Sequence, residues 1–150
     1  MNDRRSTTGY IFLLNMHVVS WQMHKQTSVA TSSTQAEYQA LSSAIKEAIW
    51  IRMFMKEIGF TQTIATKIQQ DNQSTIALAH NPINHGRTKH IDIMHHHQCE
   101  AIENSEIELE YCSTTKMTAD IMMKPLTRIK FEMCRDKLGI SSYMPIEQGC

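Results

Sequence analysis

Residues 32–60 of this 150-residue chain have the sequence SSTQAEYQALSSAIKEAIWIRMFMKEIGF, in which apolar side chains recur at helical spacing. The apolar stripe comprises Leu41, Ile45, Ala48, Ile51, Met55 and Ile58. Such a stripe predicts a long amphipathic helix with one face packed on a core. Thr34 and Glu37 have the spacing of a capping box at the start of this helix, and Gly59 is a suitable stop.

Short strands are predicted on both sides of this helix. GYIFLL (9–14) and VVSWQ (18–22) are close enough in sequence to form an antiparallel hairpin. Residues 63–70 are a plausible third strand, although Gln69 and Gln70 make it unusually polar. We expect Trp21 and Trp50 to be core residues rather than surfaces for stacking bases.

The second half of the chain continues to alternate between helix and strand. A helix is predicted after Asp71, another after a basic loop, and a last one at about 128–138 that ends at Gly139. IELEYC (107–112) alternates cleanly and predicts a strand with Ile107, Leu109 and Tyr111 facing inward. The order of elements predicts a mixed α/β fold for residues 1–140, followed by a flexible tail at 141–150.

Composition indicates an ordinary globular chain and excludes several classes of protein. Fifteen basic and fifteen acidic residues give no net charge, so any binding of nucleic acid depends on a local patch. Four scattered cysteines without a CxxC pair suit reduced thiols inside the cell. There is no secretory signal and no apolar run long enough to span a membrane. We therefore expect an intracellular protein, cytoplasmic or nuclear and not secreted.

Three acidic residues at predicted element ends are the candidate catalytic and metal-binding groups. Glu37 opens the long helix, Asp71 follows the third strand, and Asp120 begins the late segment MTADIMMKPL (117–126). Carboxylates in such positions can converge and supply the oxygen ligands that hard divalent cations prefer. Taken singly, each has a simpler explanation, because Glu37 completes a capping box and Asp71 and Asp120 are suitable helix N-caps.

Eight segments, taken in order, resemble the ribonuclease H domain of copia-type retrotransposon polyproteins over about residues 4–140. The segments are RRSTTGYIFLL, VVSWQ, SSTQAEYQALSSAIKEAIW, DNQSTIAL, RTKHIDI, LEYC, MTADIMMKPL and FEMCRDKLGI. The resemblance implies a ribonuclease H fold, with a central mixed sheet that carries helices on both faces. It also implies cleavage of the RNA strand of RNA–DNA hybrids by two Mg²⁺ ions, with Mn²⁺ as a substitute.

By motif position, the resemblance assigns Glu37, Asp71 and Asp120 to three of the four metal-binding carboxylates of the family. The fourth lies on a central strand upstream of residue 4, which this chain does not contain. That aspartate bridges the two metal ions, and a bridging ligand sets their separation. We therefore expect a domain that lacks its first catalytic aspartate and first central strand, with weakened metal binding and activity that is impaired or lost. The alternative is a non-catalytic nucleic-acid-binding or inert transposon remnant.

The partners implied by the resemblance are an RNA–DNA hybrid and the reverse transcriptase domain of the parent polyprotein. The candidate nucleic-acid-binding residues are Arg87, Lys89, His90 and Lys124. Contacts from such side chains to phosphates give a sequence-independent, salt-dependent affinity, although ordinary solvated charges have the same composition.

A histidine cluster leaves a weaker zinc-binding interpretation open. It comprises His85, His90, His95, His96 and His97, with Cys99 four residues after His95. The spacing fits no common zinc signature, so a partly protonated surface that faces nucleic acid is the preferred interpretation.

Overall fold

Four strands and five helices make up the part of the chain that the structure describes. The structure is a computed structural model that describes residues 5–26, 32–80 and 89–140, and within the last range it describes side chains from residue 96 onward. The strands are β1 (Thr7–Leu14), β2 (His17–Lys25), β3 (Thr66–Gln70) and β4 (Ile107–Tyr111). The helices are α1 (Ser33–Glu57), α2 (Gln73–His80), α3 (Lys89–Glu103), α4 (Asp120–Met123) and α5 (Arg128–Lys137). The predicted mixed α/β class is confirmed, and the predicted tail at 141–150 lies outside the described residues.

The strands form two separate pairs rather than one sheet. β1 pairs with β2 in antiparallel register, and β3 pairs with β4 in parallel register. Within the described ranges no strand joins the two pairs. The predicted central mixed sheet is therefore present only as two ladders, and the ribonuclease H arrangement of strands stays a prediction.

The hairpin turn between β1 and β2 is tight and is made without glycine. Leu14 is the register partner of His17, so only Asn15 and Met16 lie between the paired residues. Their φ angles are 49° and 66°. Two-residue hairpin turns often need positive φ at both central positions, because this matches the twist of the strands. Asparagine tolerates that region, whereas methionine adopts it at a cost.

Helix α1 lies at the centre of the packing and contacts both strand pairs. Its N-cap is Ser32, whose hydroxyl accepts a hydrogen bond from the Gln35 backbone N–H at 3.1 Å. The predicted Thr34 capping box is therefore wrong, because Thr34 is already inside the first turn. The core around α1 is formed by Tyr38, Leu41, Ala44, Ile45, Ala48, Ile68, Ala79, Ala101 and Ile107.

Three aromatic side chains that were expected to be buried are exposed. Trp21 on β2 is 63% exposed, Trp50 on α1 is 57% exposed, and Tyr111 at the end of β4 is 55% exposed. Trp50 stacks on Phe54, with the ring centroids 5.6 Å apart. The predictions for Trp21 and Trp50 failed because β2 and the second half of α1 have faces that no described element covers. Tyr111 is the last residue of β4, where the strand ends. None of the helices in the described ranges has the length and apolarity needed to cross a membrane.

Candidate functional site: an acidic cluster

Three different elements carry the three candidate carboxylates. Glu37 lies near the start of α1, Asp71 follows the last residue of β3, and Asp120 is the first residue of α4. Asp120 is 1% exposed, while Glu37 and Asp71 are half-buried. The site therefore depends on how α1, β3 and α4 are held together.

The parallel pairing of β3 and β4 brings distant residues to one edge. Gln70 and Tyr111, the last residues of the two strands, are register partners. The segments that follow them therefore leave the ladder on the same side. As a result, the Thr114 hydroxyl donates a hydrogen bond to Asp71 Oδ2 at 2.9 Å across 43 residues of sequence.

Gln70 holds the backbone that carries Asp71. Its side-chain Oε1 accepts hydrogen bonds from the backbone N–H of Asp71 at 2.8 Å and from that of Asn72 at 3.1 Å. The Gln70 side chain is buried, and these bonds fix the start of the segment that leads from β3 into α2.

Two lysines hold both oxygens of the Asp120 carboxylate. Lys130 Nζ lies 2.7 Å from Asp120 Oδ2, and Lys124 Nζ lies 3.0 Å from Oδ1. Lys130 also donates to the Thr114 carbonyl at 2.7 Å. Lys130 thus connects α5 to Asp120 and to the loop that contacts Asp71.

The pKa of Glu37 shows that the three carboxylates are electrostatically coupled. Burial is the largest cause raising this pKa above its usual value, and the charge of Asp71 is the next. Lys124 and the polar Gln70 side chain lower this pKa, and Asp120 adds a smaller upward contribution. Neighbouring negative charges raise the pKa of a carboxyl group because they disfavour its ionised form. The acidic groups therefore lie close enough to act on one another.

The pKa of Asp120 is lowered, whereas that of Glu37 is raised. Burial by itself would raise the pKa of the Asp120 carboxyl group, but the hydrogen bonds and charges of Lys130 and Lys124 outweigh burial and hold it below its usual value. Burial in turn opposes the charge on Lys124, yet Asp120, Asp71 and Glu37 together raise the pKa of that ammonium group. Asp120 is therefore ionised and neutralised by lysines at neutral pH.

The donor chemistry fits a divalent cation, but the described side chains do not form a complete site. No group of three or more His, Cys, Asp or Glu side chains within the described part of the chain is arranged to hold a metal ion. Glu37 and Asp71 offer carboxylate oxygens, whereas Asp120 has both oxygens bound by lysines. Mg²⁺ is commonly held by one or two carboxylates with water in its remaining positions. Glu37 and Asp71 are the residues that would hold it.

Of the predicted nucleic-acid-binding residues, Lys124 can be placed at the site. Its side chain is 52% exposed and lies 3.0 Å from Asp120 Oδ1. Arg87 lies outside the described residues, and Lys89 and His90 open α3 with side chains that are outside the description. Whether these four residues bind nucleic acid stays a prediction.

The zinc interpretation gains no support from the side chains that can be described. His96 is exposed, and the Cys99 thiol donates to the Ala79 carbonyl at 3.3 Å. His85, His90 and His95 lie outside the described side chains, so the five-histidine cluster stays untested.

Sequence reasoning did not identify three residues that complete this site. Gln70 gave a signal, because it is a polar side chain at the end of a strand that should be apolar. Thr114 and Lys130 gave none, since their roles arise from the pairing of β3 with β4 and from the docking of α5.

Comparisons with known proteins align nearly the whole chain with one group of proteins. The chain is 37% identical over 142 residues to a retrovirus-related Pol polyprotein from transposon TNT 1-94 of Nicotiana tabacum, which covers 95% of the chain. It is 35% identical over 144 residues to the retrovirus-related Pol polyprotein from transposon RE1 of Arabidopsis thaliana, which covers 96% of it. A Ty1 Gag-Pol polyprotein of Saccharomyces cerevisiae is 27% identical over 134 residues, or 89% of the chain.

These relatives are much longer than this chain, which spans 11%, 10% and 8% of their respective lengths. No protein-family model matches the chain, and no solved structure matches it. The similarity therefore identifies a class of polyprotein and not an individual activity within it. Over nearly all of its length, the chain is homologous to a segment of the Pol polyproteins of retrovirus-related transposons.

Proposed function

We propose that this chain is a retrotransposon-derived ribonuclease H domain fragment of the copia type. Its ancestral activity is Mg²⁺-dependent cleavage of the RNA strand of RNA–DNA hybrids, and its own turnover is slow or absent. The observation that carries the proposal is the chain of contacts that brings Asp71 and Asp120 together: Thr114 donates to Asp71 Oδ2 at 2.9 Å, and Lys130 bonds both the Thr114 carbonyl and Asp120 Oδ2 at 2.7 Å. The charge of Asp71 also helps, after burial, to raise the pKa of Glu37. Similarity to transposon Pol polyproteins over 95% of the chain supports the proposal.

The residues of the site have separable roles in this proposal. A bound Mg²⁺ would supply charge neutralisation and an activated water for phosphodiester hydrolysis. Glu37 and Asp71 would hold the ion through their carboxylate oxygens. Thr114 orients Asp71 by donating to its Oδ2, and Lys124 offers a half-exposed positive charge to a phosphate group. Asp120 would contribute a ligand only if Lys124 and Lys130 released it.

The proposed partners are an RNA–DNA hybrid and a reverse transcriptase domain of the parent polyprotein. Arg87, Lys89, His90 and Lys124 are the proposed contacts to phosphates. The proposed location is inside the cell, in the cytoplasm or nucleus, where such hybrids form.

A second candidate function is non-catalytic nucleic-acid binding, or an inert remnant. The observation that favours it is the lysine pairing of Asp120, because two ammonium groups occupy the oxygens that a metal ion would need. In this candidate Lys124 and Lys130, rather than a metal ion, neutralise the buried Asp120 carboxylate. The chain then has no hydrolytic activity.

Cleavage of a hybrid labelled on its RNA strand tests the proposal. The purified chain is incubated with the hybrid in Mg²⁺ or Mn²⁺, and products are resolved on a denaturing gel. We expect any cleavage to be slow, to stop when EDTA is added and to be abolished by Asp71→Asn. The matched control is Asp136→Asn, which removes an exposed carboxylate on α5 that pairs only with Arg135 among the described residues.

The outcomes separate the two candidates. Hybrid binding without any metal-dependent cleavage would favour the non-catalytic candidate. Cleavage that Asp71→Asn leaves intact would show that the acidic cluster is not the site. Rapid turnover comparable with that of an efficient nuclease would contradict the proposal that the activity is impaired.

A further inference from the structure

The β1–β2 hairpin has one face on α1 and an opposite face that points away from it. Phe12 packs against the core, and its register partner Ser20 donates a hydrogen bond from its hydroxyl to Glu47 Oε1 on α1 at 2.6 Å. Successive side chains of a strand point to opposite faces. The neighbouring register pair, Ile11 and Trp21, therefore points away from α1.

This outer face of the hairpin is apolar and mostly uncovered by the described residues. It comprises Ile11, Leu13, Trp21 and Met23. Trp21 and Met23 are each more than half exposed. At one end of the face, Met123 of α4 packs so closely on Gly9 that a Cβ there would lie 2.9 Å from Met123 Cγ. A contiguous exposed apolar patch of this kind typically marks a surface that another segment or molecule covers.

Helix α5 ends beside the turn of the same hairpin. The Gly139 N–H donates to the Asp136 carbonyl at 3.0 Å, and the Ile140 N–H donates to the Arg135 carbonyl at 3.2 Å. With Gly139 at a φ of 68°, these two bonds form a Schellman motif, which ends the helix and turns the chain. A Cβ at Gly139 would lie 3.6 Å from the Met16 carbonyl oxygen. The chain therefore leaves α5 next to the hairpin turn.

The sequence beyond the end of α5 has the length and the composition to cover the outer face. It continues as SSYMPIEQGC (141–150), which contains the apolar residues Tyr143, Met144 and Ile146 and a single charged side chain. Ten residues span about 33 Å when they are extended. The part of β2 between the turn and Met23 is about 20 Å long at the rise of a strand. The segment can therefore reach across the whole outer face.

We propose that residues 141–150 lie across the outer face of the β1–β2 hairpin and cover Trp21. The apolar side chains of the segment contact Trp21 and Met23, and their burial removes apolar surface from water. An attached segment that starts next to this face loses less translational freedom on docking than a separate partner does. In this arrangement the segment has a fixed place, rather than the flexibility that the sequence predicts.

Fluorescence of Trp21 in the full chain tests this contact. The chain has two tryptophans, so Trp50→Phe leaves Trp21 as the single one. In that background, Tyr143→Ser, Met144→Ser and Ile146→Ser together remove the apolar side chains of the segment. We expect this variant to show stronger quenching of Trp21 by acrylamide and an emission maximum at longer wavelength, because the indole ring becomes open to water.

The matched control changes polar positions of the same segment. Glu147→Ser and Gln148→Ser together should leave the quenching and the emission of Trp21 unchanged, because neither side chain is apolar. Equal quenching of Trp21 with and without the three apolar side chains would overturn the proposal and leave the face open to a separate partner. Sedimentation velocity over a range of concentrations tests a second copy of the chain as the occupant. If the shielding of Trp21 is lost as a dimer dissociates on dilution, the face belongs to that interface and the proposal fails.

A second measurement changes the hairpin instead of the segment, and so does not depend on whether the serine variants fold. We expect Trp21→Ser to speed cleavage by chymotrypsin after Tyr143, because the segment loses the surface that holds it. Trp50→Ser makes the same change at an exposed tryptophan on α1 and should leave the rate unchanged. Mass spectrometry of the cleaved chain gives the rates, and circular dichroism checks that both variants are folded. Equal rates for the two variants would overturn the proposal.

Discussion

The two strand pairs of this chain differ in strand direction, in exposure and in the residues at their ends. The antiparallel β1–β2 hairpin carries many exposed apolar side chains, including Val19, Trp21 and Met23. The parallel β3–β4 pair places Ile68 and Ile107 in the core and ends at the acidic cluster. In the hairpin, β1 packs on α1 and α4, with Tyr10 and Phe12 against the core, while β2 is largely exposed. The parallel pair packs against three helices.

This difference indicates which part of the fold brings residues that are distant in sequence into contact. Antiparallel strands can be joined by two residues, so the pairing of β1 with β2 is a local contact. Parallel strands need a long crossover, and here α2 and α3 supply it. Residues that follow β3 and β4 meet only because that crossover is packed. The contact between Thr114 and Asp71 is therefore a property of the parallel half.

The largest expected effect is on stability, and it differs between a substitution in the parallel pair and one in the hairpin. Ile107 is 2% exposed and Val19 is 48% exposed. We expect Ile107→Ala to lower the free energy of unfolding by about 2–5 kcal/mol, because it leaves a cavity in the core. Val19→Ala should change it by no more than about 0.5 kcal/mol. Urea unfolding followed by circular dichroism measures both, and similar losses would show that the hairpin is as tightly packed as the parallel pair.

An intermediate effect is expected at Asp120. Asp120→Asn removes two charge-assisted hydrogen bonds from a buried carboxylate and should lower the free energy of unfolding by about 1–3 kcal/mol at pH 7. Because the folded-state pKa of Asp120 lies below its ordinary value of 3.8, this stabilisation is present above that value. It should disappear as the pH falls below 3.8 through the folded-state pKa.

Urea unfolding of the unaltered chain and of Asp120→Asn, from pH 7 to below pH 3.8, checks that this stabilisation is lost on acidification. Asp136→Asn serves as the control, because Asp136 is an exposed partner of Arg135 and should have little effect at any pH. A difference between Asp120→Asn and the unaltered chain that grows on acidification would contradict the lysine pairing of Asp120.

The smallest expected effect on stability concerns the turn of the β1–β2 hairpin. Met16 adopts a φ of 66°, which disfavours a side chain with a Cβ. We expect Met16→Gly to raise the free energy of unfolding by about 1 kcal/mol, since glycine adopts this region freely. Met16→Ala keeps the strained φ while removing the long side chain, so it should give no such gain. A gain from alanine equal to that from glycine would assign the effect to the exposed side chain instead.

Sequence alone predicted the elements better than it predicted their exposure. Helical spacing gave α1, alternation gave β4, and the short link gave the β1–β2 hairpin, because these signals are local. The exposure of Trp21, Trp50 and Tyr111 could not be predicted, since it depends on which elements cover which faces. The N-cap was placed two residues late because Thr34 fits the capping pattern as well as Ser32 does.

The positions of the candidate carboxylates were predictable for the same reason. Glu37, Asp71 and Asp120 lie at or next to the ends of elements, as expected, whereas their role as a catalytic and metal-binding site stays a prediction. The lysine pairing of Asp120 was not foreseen, because Lys130 lies on a different helix. The role of Gln70 depends on hydrogen bonds to backbone groups, which no pattern of side chains encodes.

The 43-residue separation between Thr114 and Asp71 also has a kinetic consequence. Contacts between distant parts of a chain close large loops and therefore form slowly, whereas a hairpin closes within microseconds. We expect the hairpin to appear early in refolding and the acidic cluster to assemble last. A newly synthesised chain would then spend its first moments without the contact between Thr114 and Asp71, even after most of its helices have formed.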